Sequence, residues 1–366
     1  MNRKVGPRWA LVVFLVLAIY PLFPAFDGWF FAATARSLGA QMPTLFIFAI
    51  LAMGLNLVVG NVGLLHLGIA AFFGIGAYTM GILTVPAYPF EIGFWLALPC
   101  GIAAAAAVGL FIGVPTLRLR GDYLALVTLG FGEVVRFTLK NLDAITAGTR
   151  SLVPVPPPAT PVLSVDWLQD FRPFYYLTLG FLVIVYWILG SLERSKLGRA
   201  WVAVREDELA ASCMGLNVSR LKLSAFICSA GIAGLAGGLY ASTITSTAQP
   251  DAYDFNRSIF LLCCLILGGL GSRNGVLLGV FLLYGFDQIL SPIVDEKLQL
   301  AYGAPIRREF LGIPISAQMQ TFAGWRLFLF GVVLIVMMRY RPSGLIPNDR
   351  IKEELPPDPD ARPATK

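Results

Sequence analysis

Apolar residues run along most of this chain in stretches too long to be the core-facing stripe of a soluble helix, and polar residues gather in a few short breaks. Ten apolar runs lie near 9–25, 43–59, 62–86, 93–117, 122–139, 174–191, 223–243, 258–270, 275–290 and 322–339. A helix needs about 20 mostly apolar residues to cross a bilayer's hydrocarbon core. The runs do not alternate as barrel strands do, and lipid leaves backbone groups no third way to be satisfied. The predicted fold class is all-α, a polytopic integral membrane protein of about ten transmembrane helices. The most polar break is "GRAWVAVREDELAASCMG" (198–215), where Arg199, Arg205, Glu206, Asp207 and Glu208 fall within ten residues. Alanines and other helix formers fill 200–214 and predict a helix there, with Gly215 as its C-terminal cap.

Composition agrees with this pattern: 57% of residues are hydrophobic and 14% charged, against about 25% charged in soluble domains. The net charge of +6 raises the question of nucleic acid, and its distribution answers it. With the N-terminus inside and ten spans, segments 1–8, 60–61, 118–121, 192–222, 271–274 and 339–366 face inward and hold 18 of the 28 Lys and Arg. That is the positive-inside bias of a membrane protein, so no nucleic-acid partner is expected. The predicted organisation is a cytoplasmic N-terminus (1–8), a transmembrane domain (9–347) interrupted by a cytoplasmic loop (192–222), and a disordered cytoplasmic tail (348–366). Arg3, Lys4 and Arg8 before an apolar core suggest a secretory signal, but Ala33-Thr34-Ala35 lies too far beyond that core for cleavage. An uncleaved first span is expected. Two outside segments are long, 140–173 and 291–321; Pro154, Pro156, Pro157, Pro158 and Pro161 forbid a helix in the first.

Small residues recur every four positions at Gly101, Ala105, Gly109 and Gly113, and again at Ala230, Gly234, Gly238 and Ser242. This spacing lets membrane helices approach closely, and packing within one subunit is the simpler use of it. Gly63, Gly68, Gly74 and Gly76 interrupt one span; Gly268, Gly269, Gly271 and Gly275 cluster near another. Broken helices are where transporters place ligand sites. The turn "GGLGSRNG" lacks the Lys-Ser/Thr ending of a phosphate loop, and no such loop, H-E-x-x-H or G-x-S-x-G occurs elsewhere. The five cysteines show no metal-ligand spacing and read as small apolar fillers. His66, the single histidine, is either a hydrogen-bonded interior residue or a ligand or proton relay. Glu133 and Arg136 share a helix face three residues apart. Either they neutralise each other, or they line a polar path and face the ammonium and carboxylate of a zwitterion. Asp287 is a weaker candidate of the same kind.

The pattern Glu208-x-Ala210-Ala211-x-x-x-Gly215 resembles the E-A-A-x-x-x-G loop of ABC importer permeases. The block "LGRAWVAVREDELAASCMGLNVSRLKLSAFICSAGIAGLAGGL" is similar to the branched-chain amino acid permeases of the LivM type. So are "GLNLVVG", "GLLHLGIAAFFGIGAY", "LRLRGDYLALVTLGFGEVVR", "LGGLGSRNGVLLG" and "RPSGLIP", in family order from about 43 to 347. The resemblance implies a non-enzymatic permease subunit in the bacterial cytoplasmic membrane, moving branched-chain or other hydrophobic amino acids. It implies a related permease as partner, two cytoplasmic ATPase subunits that bind the ATP, and a soluble binding protein outside. This chain itself would carry no cofactor and no metal. The polar loop would form a short coupling helix entering a groove on the ATPase, with Arg205, Asp207, Glu208, Ala210, Ala211 and Gly215 in the contact. The substrate path would include Glu133, Arg136, His66, Gly74 and Gly76. Two departures stand out: His66-Leu67-Gly68-Ile69 where the family has S-L-G-H, and "TAGTRSL" (146–152) where it has a T-G-G-x-x-G-like segment. Related permeases carry urea and short amides, so that cargo stays open, as does a proton-coupled secondary transporter using Glu133 or His66.

Overall fold

The structure is a computed structural model that describes residues 7–23, 27–28, 31, 37–89, 91–116, 122–158, 167, 170–291, 293, 309–310, 313–314, 322–341 and 344–346. The possible cleavage site at 33–35, most of 291–321 and the tail from 348 onward lie outside the described residues. The elements are α1 (Pro7–Ile19), α2 (Leu38–Asn56), α3 (Ile69–Thr84), α4 (Phe94–Thr116), α5 (Asp122–Asn141), α6 (Asp143–Thr146), α7 (Arg172–Arg194), α8 (Lys196–Glu206), α9 (Glu208–Cys213), α10 (Val218–Thr243), α11 (Phe255–Gly268), α12 (Arg273–Gly285) and α13 (Phe322–Tyr340). Each predicted apolar run overlaps one helix of 13 residues or more. Extended pairing among the described residues is confined to Glu309–Phe310 against Ile313–Pro314. The fold is all-α.

Four of these helices are long and apolar enough on their own to cross a membrane: Leu38–Val62, Phe94–Pro115, Arg172–Arg194 and Val218–Thr243. The first is α2 continued by a π-type turn over Leu57–Val62. Its 25 residues reach about 38 Å at helical rise, enough for the roughly 30 Å hydrocarbon core. Its apolar window is 94% buried within the protein, against 33% for α4 and 39% for α7. Apolar on every side, α2 is the post around which the other helices stand.

A second seam joins α3, α4 and α10 through residues without a side chain. A Cβ on Gly76 would lie 2.2 Å from the Gly234 carbonyl oxygen, and one on Gly237 would lie 2.0 Å from that of Phe73. A Cβ on Gly234 would meet Ala105 and the Gly101 carbonyl, and one on Gly109 would meet Ala230. Both four-residue repeats therefore serve helix packing within this chain. The small surfaces allow backbone approach that lipid alone would not drive.

The helix expected over 62–86 begins later. Gly63 adopts φ +78° after the π turn, residues 63–68 are non-helical, and α3 starts at Ile69 with Gly74 and Gly76 inside it. Asn56, buried at this break, accepts a 2.9 Å hydrogen bond from Gly271 N. The "GGLGSRNG" turn thus packs on the end of α2, and Leu345 N and Ile346 N bond the Leu267 and Gly268 carbonyls at 3.0 Å. Two distant sequence blocks close one end of the bundle together. At the other end, the proline-rich segment is docked: Leu152 and Val155 are buried, and Val155 N bonds Thr245 O at 3.0 Å.

Candidate functional site

The polar segment folds as two helices meeting at a break. Ser195 caps α8 through a 3.3 Å bond from Gly198 N. Gly198, Trp201 and Val204 form the buried face of α8 at helical spacing. The fully buried Trp201 indole donates to Leu221 O at 3.0 Å and Ser224 Oγ at 3.2 Å, which ties α8 to the start of α10. The helix predicted over 200–214 is interrupted at Asp207, whose backbone is extended (φ −155°, ψ 112°). Its carboxylate accepts from Leu209 N at 2.8 Å and Ala210 N at 3.0 Å. An acidic side chain satisfying free amides at a helix start explains why the chain breaks here and not at an alanine. Gly215 takes φ +81°, as a left-handed cap should, and Leu216 N returns to Ala211 O at 3.1 Å. Asn217 then caps α10 by accepting from Arg220 N at 3.1 Å.

Two charges of this segment tie it inward, while Arg199, Glu206 and Asp207 are exposed. The Arg205 guanidinium donates to the carbonyl of Gly60 in the π turn of α2, and its stem lies over Gly63. Glu208 pairs with Lys222 of α10 at 2.5 Å; the Lys222 side chain is 6% exposed and that of Glu208 47%. Arg273 pairs with Glu193 at 2.8 Å and donates to Tyr186 O at 3.1 Å, joining α12 to α7. Of the six residues expected in the coupling contact, Ala211 is buried and Arg205 partly so, while Asp207, Glu208, Ala210 and Gly215 are exposed; all six also build the turn itself. Leu209 at 72% and Met214 at 83% exposure carry the large apolar surface that faces outward. Neither was singled out from sequence, because an exposed leucine in an apolar chain gives no signal.

The second cluster sits at the opposite end. Arg136 bonds Glu133 at 2.7 Å and Asp251 at 2.7 Å, and Lys140 bonds Asp251 at 3.2 Å. The network therefore crosses from α5 to the 3-10 turn Pro250–Tyr253 that follows α10. The Lys140 ammonium beside Asp251, with the Arg136 guanidinium, holds its carboxyl below the usual carboxylate range. Tyr253 of the same turn is buried against α3, where a Cβ on Gly74 would lie 3.0 Å from its ring. The structure thus brings Glu133 and Arg136 together and sets Gly74 near them through Tyr253. It places Gly76 in the α10 seam. His66 is apart, in the 63–68 segment, fully buried against Phe72 and Phe226. Among the described residues neither ring nitrogen of His66 has a hydrogen-bond partner, unlike the hydrogen-bonded interior histidine of the simpler reading.

Residues 41–338 match the family model described as branched-chain amino acid transport system / permease component. The high-affinity branched-chain amino acid transport system permease protein LivM of Escherichia coli (strain K12) is 36% identical, over 97% of this chain and 78% of its own length. Its counterpart in Salmonella typhimurium is 34% identical over the same shares. The autoinducer 2 import system permease protein LsrC of Yersinia pestis is 27% identical over 67% of each chain. No solved structure matches. With an all-α bundle, a helix–break–helix segment at one end and this extent of match, the chain belongs to the permease component family of branched-chain amino acid transport systems.

Proposed function

We propose that this chain is one of two related permease subunits of an ATP-driven importer in the bacterial inner membrane, carrying branched-chain or other hydrophobic amino acids. A soluble binding protein delivers substrate outside, and two ATPase subunits act inside. The observation that carries the reading is the 194–218 segment: a capped pair of short helices, outwardly exposed at Leu209 and Met214 and anchored inward to α2 and α10. A permease without a nucleotide site must receive its driving force through a contact. Moving an equilibrium from 1:99 to 99:1 takes about 5.5 kcal/mol of differential binding. This segment offers a shaped, aqueous-facing surface tied directly to two spans.

The names of the relatives favour branched-chain amino acids over urea or short amides as cargo. The Glu133–Arg136–Asp251–Lys140 cluster holds two anions and two cations at the end opposite the coupling segment. On the proposed topology that end faces the binding protein. There the cluster can exchange internal partners for the ammonium and carboxylate of an arriving amino acid. Glu133 already sits in a close ion pair, which suits this role better than that of a free proton carrier.

The test is photocrosslinking from positions 209 and 214 in cells expressing the whole importer, alongside uptake of radiolabelled L-leucine. Crosslinks to the ATPase and leucine uptake dependent on it are expected. Crosslinks to the outside binding protein, or uptake that persists without the ATPase, would overturn the proposal.

A further inference from the structure

Lys222 is an unusual residue in its place. It lies in the second turn of α10 and is 5% exposed. Burying an ammonium is costly, and a cation near a helix N-terminus meets the positive end of the helix dipole. An apolar side chain of the same size would remove both penalties, and replacing buried ion pairs by apolar groups is often neutral or stabilising. Stability alone therefore gives no reason for a lysine here. Its geometry does. The Lys222 ammonium reaches Glu208, the first residue of α9, at 2.5 Å. Among the described residues this is the one ion pair between α9 and a membrane-length helix. Glu208 remains half exposed.

What α10 can do with such a tie follows from its packing. Gly234 and Gly237 put its backbone against Gly76 and Phe73 of α3 and Gly101 of α4, with no side chain between them to give way. A displacement of α10 is therefore a displacement of α3 and α4 as well. The second tie of the polar segment, Arg205 to Gly60, goes elsewhere, to the π turn of α2.

We propose that Lys222 is a positioning residue for energy coupling: by holding Glu208 it delivers movement of α9 to the α10–α3–α4 unit. This rests on the reading of 194–218 as the ATPase-facing segment. The experiment uses the complete importer reconstituted in liposomes, with L-leucine as the transported probe. The variants are Glu208→Gln, Lys222→Met and the exchange Glu208→Lys/Lys222→Glu, and the readouts are ATPase retained on purification and leucine imported per ATP hydrolysed. The expected effect is a loss of about tenfold in leucine per ATP for each single variant, a size typical of coupling between sites. Retention of the ATPase is expected at the wild-type level for Lys222→Met, whose changed side chain is buried. The exchange variant should recover to within about threefold of wild type. A merely structural role would lower the amount of complex and leave the ratio unchanged.

If Lys222→Met fails to assemble, Glu208→Gln decides alone, because half-exposed Glu208 tolerates the neutral amide. Wild-type leucine per ATP in the assembled single variants would overturn this proposal and leave the importer reading standing. An exchange variant no better than the worse single variant would also overturn it. A wild-type complex that neither retains the ATPase nor imports leucine would overturn both.

Discussion

Gly76→Ala adds one methyl group to the seam between α3 and α10, and the structure fixes what that methyl meets. It would lie 2.2 Å from the Gly234 carbonyl oxygen and 2.5 Å from the Gly234 Cα, with the Gly234 carbonyl carbon at 2.7 Å. All three are backbone atoms and no rotamer change can clear them. Ordinary contact begins near 3.4 Å, so the two helices must part by about 1.2 Å. Overpacking of this kind costs about 1–3 kcal/mol. Alanine returns about 1 kcal/mol of helix propensity relative to glycine. With three backbone clashes the upper part of the range applies, and the expected net loss is about 2 kcal/mol. Gly180→Ala in α7, where nothing lies within 4 Å, isolates the propensity gain and should be neutral or up to about 1 kcal/mol more stable. SDS-titrated unfolding of the purified protein in mixed micelles, followed by circular dichroism, measures both. Equal stability of the two variants would refute the account of this seam.

Arg205→Gln removes the cation that reaches the Gly60 carbonyl, and leucine uptake by the complete importer should fall severalfold while the ATPase still copurifies; uptake at the wild-type rate would show that the α2 tie carries nothing. Asp251 is held low by Lys140 and Arg136, so its bridge between α5 and the 250–253 turn is fully present above the ordinary carboxylate range. It is lost only as pH falls through the depressed value. The distance between spin labels placed across that contact should therefore stay constant from neutral pH down to that range and lengthen below it in wild type. In Asp251→Asn it should be long at every pH. Cys213 is exposed on α9; restored to a cysteine-free background it should react with a membrane-impermeant maleimide only after permeabilisation, whereas Arg150→Cys should react in intact cells.

The spans were legible because membrane burial demands apolar residues in unbroken lengths, and the four-residue glycine repeats were legible because close helix approach needs them. The break at Asp207 was not. An Ala-rich run around it favours one continuous helix, and the competing capping bonds to Leu209 N and Ala210 N emerge only once the chain turns. Lys222 reads in sequence as the polar flank of a span; its burial depends on α9 folding back over it. Asp251 looks like a loop charge until the 3-10 turn carries it to Arg136, 115 positions away. The prolines of 151–158 correctly exclude a helix, yet nothing local indicates that Leu152 and Val155 are buried against Thr245 and Thr247, because those partners lie far along the chain. What pattern reports well is each element's own solvent, and what it misses is the long-range contact.

The central position of α2 has a consequence for how the protein is made. Its neighbours in the finished bundle include α7, α10, α11 and α12, all of which follow it in the chain and leave the ribosome later. For much of synthesis, then, a helix that ends 94% enclosed by protein stands in lipid with most of its final company unwritten. A polar residue midway along it, harmless once enclosed, would be stranded during that interval. This accounts for its unbroken apolar length from Leu45 to Leu55, with Asn56 kept to the end where the turn at Gly271 later arrives to meet it. The sequence of α2 is fitted to two successive environments, and the first one to be met is the more demanding.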